Sequence, residues 1–75
     1  MKFYKALYTA EKSDHERFKK WLKENNHTQE EIALKLDIYS SYLYDMFTGR
    51  KKMSNVIIGQ LKELGYDVLG ANNEN

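Results

Sequence analysis

The sequence predicts a mainly α domain of four short helices, the middle two forming a helix-turn-helix, with room for a small two-stranded sheet joining the N- and C-terminal segments. Three observations carry this reading. Two apolar stripes, Ile32, Ala33 and Leu36, then Leu43, Met46 and Phe47, keep helical spacing on either side of a break at Asp37 to Ser40. Helix-start signatures stand at Ser13-x-x-Glu16, Thr28-x-x-Glu31 and Ser54. Glycines stand where helices should stop, at Gly49 and Gly65.

Taken in order, residues 1–10 are ambiguous. Phe3, Leu7 and Thr9 alternate with Tyr4, Ala6 and Tyr8 as in a strand, yet Phe3 and Leu7, like Tyr4 and Tyr8, are also one helical turn apart. Aromatic enrichment favours the strand, and Tyr66 to Leu69 is the expected partner. A helix over residues 14–25 follows, with Phe18, Trp21 and Leu22 inward and Arg17, Lys19, Lys20 and Lys23 largely outside. His27 lies in the connection to the next helix. Its separation from His15 and the absence of cysteine argue against a metal site.

The helix-turn-helix motif covers residues 28–50. Its first helix opens at Gln29 behind the Thr28 cap, and Asp37 stands in the turn, a residue type that visits the left-handed conformation more readily than most. Ile38 plugs the turn from inside, and Ser40 or Ser41 is expected to cap the second helix. A last helix over residues 55–64 would bury Val56, Ile57, Leu61 and Leu64 behind the Ser54 cap. The domain is read as residues 1–70, and 71–75 as a flexible polar tail.

Gln29 opening the first motif helix, Ala33 at the helix crossing, Ile38 in the turn, Leu43 and Met46 inside the second helix, and Phe47-Thr48-Gly49 closing it resemble the lambda-repressor/Cro-like (XRE) helix-turn-helix family. The likeness extends from about Phe18 to Leu64. It implies that the second helix enters the major groove while the first lies across the backbone. It also implies a transcriptional regulator similar to the small Cro-type and modulator-of-repression switch proteins of bacteriophages.

Composition bounds the function. The chain of 75 residues is one small domain, has no cysteine and carries a net charge of +1. No apolar run is long enough for a membrane span. Lysines interrupt the apolar residues of MKFYKALYTAEK, unlike a signal peptide, so the expected location is the cytoplasm, which the resemblance to bacteriophage proteins implies is that of a bacterial host. Charge is uneven: residues 28–38 have one lysine against three acids, whereas residues 39–55 have Arg50, Lys51 and Lys52 against Asp45. Asp14, His15 and Glu16 are consecutive rather than an assembled constellation, and the chain has no P-loop or dinucleotide fingerprint, so an enzyme is not expected, nor a cofactor.

With Leu43, Met46 and Phe47 inward, Ser40, Ser41, Tyr42, Tyr44 and Asp45 are the candidate base-facing residues. Thr28, Gln29, Thr48, Arg50, Lys51 and Lys52 are the candidate phosphate contacts. The expected partner is double-stranded operator DNA, with a weak homodimer as an option. The base-facing set has no Arg, Asn or Gln, the strongest base readers. That weakness raises an alternative, in which Tyr42, Tyr44 and Asp45 form a protein interface for a cognate repressor and the chain is an antirepressor or modulator. An antitoxin facing a toxin is a lesser variant.

Overall fold

The computed structural model describes residues 7–69, and these form a mainly helical domain with a small antiparallel sheet. The elements are β1 Leu7–Tyr8, α1 Lys12–Glu24, α2 Gln29–Leu36, α3 Ser40–Phe47, β2 Met53–Ser54 and α4 Asn55–Glu63. The readings of residues 1–6 and of the tail 71–75 lie outside the described residues.

Local signals explain α2 and α4. The Thr28 hydroxyl accepts from the Glu31 amide at 3.1 Å while the Glu31 carboxylate receives the Thr28 amide at 3.3 Å, a closed capping box. Asp37 ends α2 in the left-handed conformation, φ 61°. The Ser54 hydroxyl caps α4 through the Ile57 amide at 3.3 Å. Gly49, φ 86°, follows α3, and a Cβ there would lie 3.1 Å from the Ala10 carbonyl oxygen, so the position favours glycine on two counts.

Five sequence expectations are corrected. The N-cap of α1 is Glu11, not Ser13: the Glu11 amide donates to the Asp14 carboxylate at 2.8 Å, which shifts the start of the helix back to Lys12. The N-cap of α3 is Tyr39, without a side-chain cap, because Ser40 is already inside the helix and its hydroxyl accepts from Gln29. The partner of β1 is β2, with Leu7 opposite Ser54 and Tyr8 opposite Met53. Residues 66–69 are not a strand, because Arg17 takes the carbonyl oxygens of Val68, at 2.7 Å, and Asp67, at 3.3 Å. Last, Val56 is exposed in the first turn of α4, where Leu61 is buried and Ile57, Ile58 and Leu64 pack against the core from its edge.

The core sits where α1, α3 and the 66–68 segment converge. Phe18 and Phe47 stack with ring centroids 4.0 Å apart and planes within 4°, and Tyr66 meets Phe18 edge-on at 5.3 Å. Ile32, Leu43, Met46, Met53, Leu61 and Val68 complete the buried set. Fastening α3 to α1 through Phe47 fixes which side of α3 faces outward.

Candidate nucleic-acid interface

Successive residues of an α-helix are about 100° apart, so the burial of Leu43, Met46 and Phe47 determines the rest of α3. Ser41 and Asp45 lie opposite that stripe. Tyr42 and Tyr44 fall on its two flanks, 37% and 44% exposed. Tyr44 leans toward α1, its ring meeting His15 edge-on at 5.5 Å. Tyr42 leans the other way, into a groove shared with Leu34, Asp37, Ile38 and Tyr39. The two tyrosines therefore do not form one patch with Asp45.

The two motif helices are clasped at their starts. The Gln29 amide nitrogen donates to the Ser40 carbonyl at 3.2 Å and to its hydroxyl at 3.3 Å. Thr28 is exposed beside it, with its hydroxyl proton used by neither bond of the capping box. At the other end of α3, the amides of Arg50 and Lys51 donate to the Asp45 carbonyl at 2.9 and 3.2 Å, tucking the loop against the helix end. The side chains of Arg50, Lys51 and Lys52 are left exposed. The Thr48 hydroxyl donates to the carbonyls of Tyr44 and Asp45 at 3.0 and 3.2 Å, so its proton is committed within α3.

Beside this face, burial lowers the His15 pKa below its usual 6.5, and Lys19 adds to the effect. His27 pairs with Glu31 at 3.2 Å and packs on Trp21. Among the described residues, no three His, Cys, Asp or Glu side chains are grouped to hold a metal, and no helix is long and apolar enough to cross a membrane.

Two residues of this region escaped the sequence reading. Leu34 is 80% exposed and Tyr39 is 83% exposed, side by side in the groove with Tyr42. Leu34 had a signal: it lies two residues from both Ile32 and Leu36, off the buried stripe. Tyr39 had none beyond its place in the turn. No family model, curated protein or solved structure matches the chain.

Proposed function

We propose that this protein is a small transcriptional regulator that binds double-stranded operator DNA through α3, in the manner of a Cro-like switch protein. The observation that carries the reading is the Gln29–Ser40 clasp, which sets the start of α2 beside the start of α3 while Arg50 to Lys52 project at the opposite end. Groups suited to phosphate thus flank both ends of the outward face formed by Ser41 and Asp45. The eight residues of α3 make a rod of about 12 Å, the scale of the major groove's width of about 12 Å. In this reading Thr28 and Gln29 meet one backbone, Lys51 and Lys52 the other, and Asp45 accepts from a cytosine amino group.

A second reading is favoured by one specific observation. The clasp draws Ser40 toward Gln29, which leaves the outward face of α3 one serine, Ser41, one carboxylate, Asp45, and flanking tyrosines. A carboxylate set among hydroxyls suits the basic surface of a cognate repressor better than it suits phosphates.

Fluorescence anisotropy of labelled DNA from the gene's own upstream region, titrated at several salt concentrations with and without the neighbouring repressor, tests both. Direct recognition requires specific binding by this protein alone, with a salt slope that falls by about one unit in Lys51→Ala. Release of the repressor that depends on Asp45, without specific binding by this protein alone, would replace the first reading with the second.

A further inference from the structure

We propose that the groove between the end of α2 and the start of α3 docks a basic amphipathic helix of another protein. Three large apolar side chains stand open to solvent there, Leu34, Tyr39 and Tyr42, around the half-buried Ile38. Exposed apolar residues scattered singly are ordinary, but a cluster along one groove marks a docking surface. Tyrosine is the residue type most enriched, with Trp and Arg, at energetically dominant interface positions. The groove runs between two helix ends and presents apolar area rather than free backbone edges, which is the form that takes an amphipathic helix.

Charge selects the occupant. Glu30 lies one helical turn before Leu34 on the same side of α2, and Asp37, just past the end of α2, lines the groove itself. Lys35, the single cation of α2, is about a quarter turn round from Leu34. The apolar floor therefore has a predominantly acidic rim. A second copy placed face to face would set Glu30 and Asp37 against their own counterparts, a like-charge arrangement that costs binding. Nor does α1 of a second copy fit, because its exposed residues are Lys, Ser and Glu, with no apolar side chain to fill the groove. The fitting partner carries its own apolar stripe, edged with Lys or Arg. The groove shares only Tyr42 with the α3 positions assigned to DNA, so this inference and the DNA reading fail separately.

The experiment is a titration of isotope-labelled protein, followed by NMR, with two helical peptides that share a Leu/Phe stripe and differ only in carrying Arg or Glu along its edges. The Arg peptide is expected to shift the amides of residues 34–42. Its affinity should fall at least about fivefold in the Glu30→Gln, Asp37→Asn double variant, the scale of two exposed ion pairs. Asparagine keeps the left-handed turn accessible, so that variant retains the fold. Binding should disappear in Leu34→Ser, Tyr39→Ser, whose exposed positions leave the core untouched. Equal binding of the two peptides, shifts centred elsewhere, or none at millimolar peptide would overturn the proposal. So would a dimer in sedimentation equilibrium that is lost in Leu34→Ser, because the occupant would then be a second copy.

Discussion

Five of the six tyrosines fall among the described residues, and they divide the molecule into two regions. On the α1 side, the Tyr8 hydroxyl donates to the Asp14 carboxylate at 2.6 Å, and the Tyr66 hydroxyl reaches the Asp14 carbonyl at 3.4 Å. Arg17 adds a contact over the Tyr66 ring at 5.2 Å. On the α2–α3 side, Tyr39, Tyr42 and Tyr44 leave much of their surface in water. The same residue type serves as an internal cross-link at Tyr8 and Tyr66, whose hydroxyls meet Asp14, and as a largely open surface at Tyr39 and Tyr42, with Tyr44 between the two through its edge contact with His15.

The strongest way to break this comparison is Phe18→Ala. It removes the ring stacked on Phe47 and packed by Trp21 and Tyr66, and is expected to cost about 3–5 kcal/mol, a large part of a small domain's stability, read from the urea midpoint. Asp14→Ala comes next. Asp14 is 7% exposed and holds the Tyr8 hydroxyl and the Glu11 amide, so its loss should cost about 1.5–3 kcal/mol and overlap with the loss in Tyr8→Phe in a double-mutant cycle.

Alkali probes the same bond without mutation. The hydrogen bond to Asp14, aided by burial, pushes the Tyr8 pKa from 10.0 up to about 12, and burial raises that of Tyr66 as well. A raised phenol favours the native state below the unfolded pKa, so its contribution is intact up to about pH 10 and is lost as pH rises toward 12. Thermal melts across that range should decline more steeply in the wild type than in Tyr8→Phe. The smallest expected effect sharpens the contrast: Leu34→Ser and Tyr39→Ser, at open positions, should each move stability by no more than about 0.5 kcal/mol in the same melts.

The difference between the regions also explains what the sequence could reveal. The Thr28–Glu31 box, the turn at Asp37 and the stop at Gly49 involve residues a few positions apart, and each is visible in the spelling of the chain. The start of α1 was not, because Ser13-x-x-Glu16 and Glu11-x-x-Asp14 both place an acid in the third helical position. The second prevails through the bond from Tyr8 to Asp14, which joins β1 to the helix. Pairing of β1 with residues 66–69 failed for a similar reason: the guanidinium of Arg17, assigned to solvent, occupies carbonyls that a strand partner would need. At the candidate interface, the rotation of α3 was legible from Leu43, Met46 and Phe47. The turning of Tyr42 toward Leu34 and Tyr39 was not, because it depends on how two helices cross rather than on either one alone.

The bond from Arg17 to Val68 spans 51 positions of the chain. Contacts within α1, α2 and α3 close short loops, whereas this tie closes most of the described chain and carries the larger loop-closure cost. Until it forms, Arg17 lacks its carbonyl acceptors and the Phe18–Phe47 stack lacks the cover of Tyr66. Such non-local contacts slow folding, so the arrival of the 66–68 segment is expected to be a late step that weighs on the folding rate more than the helices themselves do.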